Sequence, residues 1–220
     1  MSWDRIGPLL WQGTLDTLIM TLPSTFFAYL IGMPLGVLLV ITRKEHIMPK
    51  PTLNTVLGGA VNLLRSVPFI ILLVMLYPVT RAVMGRAIGT IPIIFPLTVS
   101  AFPYVARMVE ASLLEVDLDM IEAANSMGSS VRQIIMKVLL PESVPSLVNG
   151  FAICITAILA YTAMAGAAGG NGLGKIAIAY GLDRREYTLM YMASIVLVFL
   201  VQVFQITGTR LARALDHRRR

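Results

Sequence analysis

The stretch IEAANSMGSSVRQIIMKVLLP (Ile121–Pro141) is a polar segment in a chain that is otherwise mostly apolar. Hydrophobic residues make up 56% of the 220 residues and charged residues only 14%, which is more apolar surface than a soluble domain buries. Four windows around the stretch carry no charge and a fifth carries Arg65; they are 17–42, 87–106, 143–174, 187–209 and 51–80. Each is long enough for a membrane span of ~20 residues. The sequence therefore predicts an all-α polytopic membrane protein with five transmembrane helices and the polar stretch between the third and the fourth.

The polar stretch carries the local signals of two short helices. Asp119 and Glu122 have the spacing of an N-terminal capping box, which predicts a helix from Met120 to Met127 with Asp119 as its cap. Gly128 follows where a left-handed residue would end that helix. Ser130 and Gln133 form a second capping-box pattern, and Pro141 is expected to stop the helix that it begins.

The distribution of basic residues predicts the orientation in the membrane. With the polar stretch in the cytoplasm, eleven Lys and Arg residues lie inside: Arg43, Lys44, Lys50, Arg107, Arg132, Lys137, Arg210, Arg213, Arg218, Arg219 and Arg220. Six lie outside: Arg5, Arg81, Arg86, Lys175, Arg184 and Arg185. The bias predicts the N-terminus outside and the C-terminus in the cytoplasm. It also accounts for the net charge of +6 without nucleic acid, because the basic residues flank spans and do not alternate with aromatic residues on one face.

Glycine and proline residues predict how the spans pack and bend. Gly32 and Gly36 lie four apart in the first span, a spacing that allows another helix to approach closely. Pro23 and Pro34 predict bends in the same span, and Pro68 predicts a kink in the second.

Several single residues have a structural explanation. Arg65 precedes the predicted kink and is expected to reach the cytoplasmic headgroups or to cap a neighbouring helix, in preference to contacting substrate. Cys154 is expected to be a small buried hydrophobe. His46 and His217 have no ligand spacing and are expected to be solvated, so no metal site is predicted.

Six residues of the polar stretch resemble the EAA loop of bacterial ABC importer permeases: Glu122, Ala123, Ala124, Gly128, Leu140 and Pro141. Val138 stands where that pattern expects an isoleucine-like residue, which is a mild departure. In that family the loop docks into a groove on a cytoplasmic ATPase, so the resemblance implies that these residues couple the chain to ATP hydrolysis elsewhere. The alternative is an ordinary cytoplasmic helical hairpin with no partner.

The whole chain resembles the permease of the bacterial methionine importer, from Trp11-Gln12-Gly13-Thr14 to the basic C-terminal tail. The matching stretches are Arg65 to Leu73, Ala106 to Glu110, Lys137 to Glu142, Tyr161 to Met164, and Gly172-Leu173-Gly174. The resemblance implies a type 1 transmembrane domain at 13–208, which contains the coupling loop at 119–141, with terminal segments at 1–12 and 209–220.

The same resemblance implies the setting of the chain. It implies a multi-pass protein of the bacterial inner membrane, in contact with membrane lipid, that forms a homodimer. A dimer of cytoplasmic ATPase subunits lies beneath it, and an extracytoplasmic binding lipoprotein delivers methionine, with no choice made between the L and D forms. No cofactor is expected on this chain, since ATP and Mg²⁺ belong to the ATPase.

The glycines from Gly169 to Gly174, followed by Lys175, match seven positions of a phosphate-binding loop. The eighth position should be Ser or Thr to hold magnesium, and it is Ile176. A membrane helix precedes the glycines where a strand is required, so we reject an ATP site. No nucleophile and base are arranged for catalysis either, and the chain is expected not to be an enzyme.

Tyr161 and Met164 are the predicted residues of the translocation pathway. They lie three apart and share a helix face. The thioether of Met164 is flexible and polarisable, and in a two-fold dimer it can meet its symmetry mate and close the path. The alternative from the residues alone is ordinary helix packing, and the resemblance favours the gate.

Three other transport functions stay open at this point. One is a permease for another amino acid or a small sulfur-containing solute. An ion-coupled transporter would be expected to carry carboxylates within its spans, and here the twelve acidic residues lie at span edges or in loops. An ATP-independent channel would leave the docking loop without a purpose.

Overall fold

The computed structural model describes residues 3–216, and side chains from Ile6 onward. Within these residues all regular structure is helical, and no strand occurs. The helices are α1 (Trp3–Ile41), α2 (Pro51–Ser66), α3 (Phe69–Met75), α4 (Tyr77–Met84), α5 (Ile94–Leu113), α6 (Leu118–Ser126), α7 (Val131–Ile134), α8 (Leu140–Ala167), α9 (Leu173–Lys175) and α10 (Tyr187–Leu215). Two π-helical segments, Ile135–Leu139 and Ile176–Leu182, follow α7 and α9. The all-helical prediction is confirmed.

Among the described residues, three helical stretches are long and apolar enough to cross a membrane: Ile6–Ile41, Val131–Ala167 and Tyr187–Leu215. A fourth forms if α2 and α3 are one span that is broken between them. The break lies at Pro68, which precedes α3, so the predicted interruption is confirmed. Helix α5 has the length of a span, but it carries Arg107 and Glu110 near its end. The fifth span therefore stays a prediction.

The chain forms two compact units. The first unit comprises residues up to 27, 67–101 and 154–205, and its core includes Met20, Leu73 and Leu97, all fully buried. The second comprises 28–66, 102–153 and the residues from 206 onward, and Leu39 and Ala106 lie in its core.

Within the second unit, α1 and α5 approach each other at two glycines. A Cβ atom on Gly32 would lie 2.7 Å from the carbonyl oxygen of Phe102. A Cβ atom on Gly36 would lie 2.7 Å from the carbonyl oxygen of Ala106. The predicted close approach is confirmed, because only glycine leaves room for the facing backbone.

The remaining span predictions concern α1 and α8. Pro23 and Pro34 lie inside α1, which is continuous from Trp3 to Ile41, and the bends there stay predictions. Cys154 is fully buried in α8, as predicted. Helix α8 ends at Ala167, before the glycine-rich segment.

Candidate coupling loop and pathway residues

Helix α6 begins earlier in the coupling loop than the capping pattern predicted. Its N-cap is Asp117, whose carboxylate accepts a hydrogen bond from the backbone N–H of Asp119 at 3.0 Å. The prediction of Asp119 as the cap is wrong. Asp119 instead lies in the first turn, where a negative charge interacts favourably with the helix dipole.

The turn at Gly128 matches its prediction. Gly128 has φ 77°, a left-handed conformation that glycine adopts without strain from a Cβ atom. Its N–H donates to the carbonyl of Asn125 at 2.9 Å, and the N–H of Ser129 donates to the carbonyl of Ala124 at 3.1 Å. This pair of bonds is the Schellman motif, which satisfies the last carbonyls of α6.

The second capping box is also confirmed. Gln133 Oε1 accepts from the backbone N–H of Ser130 at 2.7 Å, and Ser130 Oγ accepts from the N–H of Gln133 at 3.4 Å. The expected end at Pro141 is wrong, because the chain continues from α7 through the π-helical segment into α8. The wider π turn comes just before Pro141. The ring of this proline and the absence of its N–H would otherwise interrupt an α-helix there.

The six predicted coupling residues differ in exposure. Glu122, Ala123, Gly128 and Pro141 are exposed, and Leu140 is half-buried. Ala124 is buried, so its side chain is not accessible on the surface of α6. Only Ala123 of the pair is open to a partner.

Exposed methionines in the same loop were missed by the sequence reasoning. Met127 is 79% exposed beside the glycine turn, and Met120 and Met136 are also exposed. Methionine is flexible and polarisable, and it is common on protein-binding surfaces. Their exposure could have been predicted from their position in a polar segment, because an apolar side chain there has few apolar neighbours to pack against.

The loop 43–48 after α1 lies beside α6 in the second unit. A cavity of about 300 Å³ is lined by residues of the loop, including Arg43 and His46, and by Leu118 of α6. A second cavity of about 200 Å³ is lined by His46, Ile121 and Glu122. His46 is half-buried, and its Nδ1 atom is buried with no hydrogen-bond partner among the described residues. The prediction that His46 is solvated is therefore wrong, and His217 lies outside the described residues.

The half-buried imidazole of His46 predicts acid sensitivity. Burial, and then the charge of Arg43, hold the pKa of His46 below its ordinary value of 6.5. Below pH 6.5, His46 binds a proton in the unfolded chain but does not yet bind one in the folded chain. The free energy of unfolding therefore falls as the pH falls toward the lowered pKa. Lys44 and Glu45 of the same loop and Glu122 of α6 line the same cavities.

We expect His46→Gln to reduce the loss of melting temperature between pH 7.5 and pH 5.5, measured on the purified protein in detergent. His217→Gln, which removes the other histidine, is the control and should retain the loss seen in the unchanged chain. An equal loss in all three proteins would assign the acid sensitivity to other groups.

The two predicted pathway residues have different surroundings. The ring of Tyr161 stacks on Phe69 with centroids 4.8 Å apart and an interplanar angle of 12°, and it packs on the core of the first unit. Met164 is 48% exposed on the same helix. Tyr161 therefore has a packing role within the chain, whereas the side chain of Met164 is open to a second surface.

The glycine-rich segment packs closely against α1 and α8. Helix α8 precedes it, and the Lys175 ammonium donates to Asn171 Oδ1 at 2.9 Å. The N–H of Leu173 donates to Thr17 Oγ1 at 3.0 Å. A Cβ atom on Gly174 would lie 2.3 Å from the carbonyl oxygen of Ala163, so the glycines serve close packing.

Arg65 lies at the end of α2 with its guanidinium 5.9 Å from the ring centroid of Tyr104. This is a cation–π distance. The side chain is exposed, and its predicted reach to lipid headgroups stays a prediction.

Comparison with known proteins identifies the family. Residues 32–220 match the family described as the binding-protein-dependent transport system inner membrane component. This chain belongs to that family. Members are inner-membrane proteins of transport systems that use a separate binding protein, which agrees with the long apolar helices α1, α8 and α10.

Relatives of this chain are named as methionine transport permeases. The probable D-methionine transport system permease protein MetI of Vibrio cholerae is 45% identical, over 96% of this chain and 93% of that protein. The D-methionine transport system permease protein MetI of Escherichia coli K12 is 46% identical, over 72% of this chain and 75% of that protein.

Two solved structures agree with the fold. A chain of the MetNI methionine ABC transporter, in an inward-facing conformation, superposes with a TM-score of 0.96 at 44% identity, covering 99% of this chain and 100% of that one. A chain of an amino acid ABC transporter crystallised with histidines has a TM-score of 0.74 at 19% identity, which supports the fold alone.

Proposed function

We propose that this chain is the permease subunit of an ATP-driven importer that moves methionine, D-methionine included, across the inner membrane. One observation carries the proposal: the chain matches a chain of the MetNI methionine ABC transporter over its whole length, at 44% identity and a TM-score of 0.96. The names of the MetI relatives support the same substrate. The permease itself hydrolyses nothing, and ATP and Mg²⁺ bind to a separate ATPase subunit.

The proposed assembly has five spans per chain, with the N-terminus outside and the C-terminus in the cytoplasm. Two copies of the transmembrane domain at 13–208 form the pore in contact with membrane lipid, and two ATPase subunits bind beneath them. An extracytoplasmic lipoprotein delivers methionine from outside. The bias of eleven inside against six outside basic residues supports the orientation. The family description supports the need for a separate binding protein.

The proposed ATPase-docking surface is the coupling loop at 119–141. Glu122, Ala123, Gly128 and Pro141 are exposed on it and can contact a partner directly. Ala124 and Leu140 are buried or half-buried and hold the shape of the loop from within. The exposed thioether of Met127 supplies apolar contact area at the glycine turn.

The proposed gate is Met164, with Tyr161 placing it from the same helix face. The open thioether of Met164 supports contact with a second copy of the chain, and the Tyr161–Phe69 stack supports a fixed position for that part of α8. The Tyr161 ring is thus a support of the pathway wall.

Met164→Ala is expected to raise ATP hydrolysis that is not linked to uptake, or to let methionine leak without ATP, because the path loses its closing side chain. The measurement is ATPase activity and uptake of the reconstituted complex. Met84→Ala, at an exposed methionine of α4 outside both the proposed pathway and the coupling loop, is the control. Coupling unchanged from the wild type in the Met164 variant would exclude the gate.

Uptake of labelled methionine tests the proposed function. Membrane vesicles carry the chain with its cognate ATPase and binding protein, with and without ATP inside, and unlabelled amino acids compete. Uptake that needs ATP and is blocked only by methionine-like compounds is the expected result. Competition by another amino acid or a small sulfur-containing solute would support the permease function with a different substrate. Uptake that does not depend on ATP would contradict the proposed docking of the loop to an ATPase.

A further inference from the structure

A single buried carboxylate, Glu110, joins three segments of the second unit. Glu110 lies near the end of α5 and is 5% exposed. Its Oε2 atom accepts from Arg107 Nη1 at 2.6 Å, and its Oε1 atom accepts from Arg43 Nη2 at 3.2 Å. Arg107 Nη2 also donates to the carbonyl of Gly58 in α2 at 2.8 Å. The cluster Arg43–Glu110–Arg107 therefore ties α5 to the loop after α1 and to α2.

Because Glu110 is buried, the cluster is sensitive to the loss of the carboxylate charge or of the charge of an arginine partner. A carboxylate away from water stays ionised at low cost only when it is paired and hydrogen-bonded. Arg107 is the more buried partner, at 28% side-chain exposure, and Arg43 is at 45%. A neutral residue at position 110 leaves two guanidinium groups facing each other without an anion between them.

Neighbouring contacts join the same three elements. Asn54 of α2 donates through Nδ2 to the carbonyl of Leu39 at 2.6 Å and to Thr42 Oγ1 at 3.1 Å, so it occupies an end carbonyl of α1. The close approach of Gly36 to Ala106 brings α1 against α5. The end of α1, helix α2 and the end of α5 are thus held as one set.

The cluster stands where the coupling loop is attached. Helix α5 ends at Leu113, and α6 begins at Leu118. The loop that Arg43 anchors lines two cavities against α6, at Leu118 and at Glu122. Arg43–Glu110–Arg107 therefore holds both the helix that leads into α6 and the loop that lies beside it.

We infer that Glu110 is a positioning residue for energy coupling: through Arg43 and Arg107 it makes α6 move together with α1, α2 and α5. The inference rests on the proposed function, because it takes α6 as part of the ATPase-docking surface. Without the carboxylate, α6 still folds and still contacts the ATPase. A movement of α6 is then absorbed by rearrangement of the loop 43–48 and of residues 114–117, and it does not reach α1, α2 and α5.

The test uses the full complex of this chain, its ATPase and its binding protein in proteoliposomes. Two quantities are measured: the ratio of ATPase activity with and without binding protein, and the methionine taken up per ATP hydrolysed. Glu110→Gln and Arg43→Gln should each lower both quantities about tenfold, within the usual range of coupling between sites, while the ATPase still copurifies. Arg43→Lys keeps the charge and should restore most of the coupling. Lys44→Gln removes a charge from the same loop and should change neither quantity.

The outcomes separate three cases. Wild-type coupling in both Gln variants would overturn the inference, and so would a loss of activity that leaves both ratios unchanged, since that is the result of a purely structural role. Arg43 is half-exposed, so its variant decides the question if Glu110→Gln does not accumulate. A wild-type complex that shows stimulated ATPase activity but no methionine uptake would contradict the proposed substrate, and the stimulation ratio would still decide the role of Glu110.

Discussion

Gly128→Asp is expected to leave the chain inserted in the membrane and to abolish its binding to the ATPase. Gly128 has φ 77° with nothing within 4 Å of its missing Cβ atom, so an Asp side chain finds space and causes only backbone strain. The new charge stands on the proposed docking surface, where an uncompensated charge at an interface costs about 2–5 kcal/mol. Because about 1.4 kcal/mol corresponds to a tenfold change in affinity, we expect at least about tenfold less ATPase to copurify with the variant.

Gly85→Asp is the matched control for Gly128→Asp. Gly85 is the left-handed C-cap of α4 with φ 76°, and nothing lies within 4 Å of its missing Cβ atom. The strain and the charge near a helix end are thus the same, outside the coupling loop. We expect Gly85→Asp to copurify the ATPase normally. If Gly128→Asp also copurifies and transports as the wild type does, the docking assignment is wrong.

Replacing Gly32 and Gly36 together by alanine is expected to give the largest loss of stability. Each new methyl group would lie 2.7 Å from a carbonyl oxygen of α5, so the two helices must move apart. Overpacking of this kind costs about 1–3 kcal/mol per site. The expected result is a lower melting temperature in detergent and less protein in the membrane.

Gly59→Ala is the control for the glycine pair. Gly59 lies inside α2, and nothing lies within 4 Å of its missing Cβ atom. Alanine there should stabilise the helix by up to about 1 kcal/mol, because it restricts the unfolded chain more than glycine does. A melting temperature equal to that of the wild type in the double variant would show that the α1–α5 approach is looser than the distances indicate.

Local chemistry made several features predictable from the sequence. The capping box at Ser130 and Gln133, the left-handed Gly128 and the break at Pro68 each depend on a few neighbouring residues. Gly32 and Gly36 depend on a second helix, but their spacing alone requires that some backbone comes close. In these cases one residue type is strongly preferred for the geometry, and its presence identifies the geometry.

The errors lie where neighbours in space decide. Asp117 and Asp119 can both cap a helix, and Asp117 is the one with the extended backbone of an N-cap, at φ −62° and ψ 131°. The partial burial of His46 depends on how α6 and the loop 43–48 lie together. Arg43 and Glu110 are 67 residues apart, so no pattern along the chain joins them.

Because Ile135–Leu139 is a π-helical segment, the orientation of α7 depends on how many residues the segment contains as well as on which side chains it carries. A π turn holds about one residue more than an α turn, and each residue of an α-helix advances by about 100°. A sequence that lacks one residue between Ile135 and Leu139 would rotate α7 by about a quarter turn or more relative to the start of α8. An insertion or deletion of a single residue at that point would therefore change the direction in which α7 faces without appreciably changing the length of the loop.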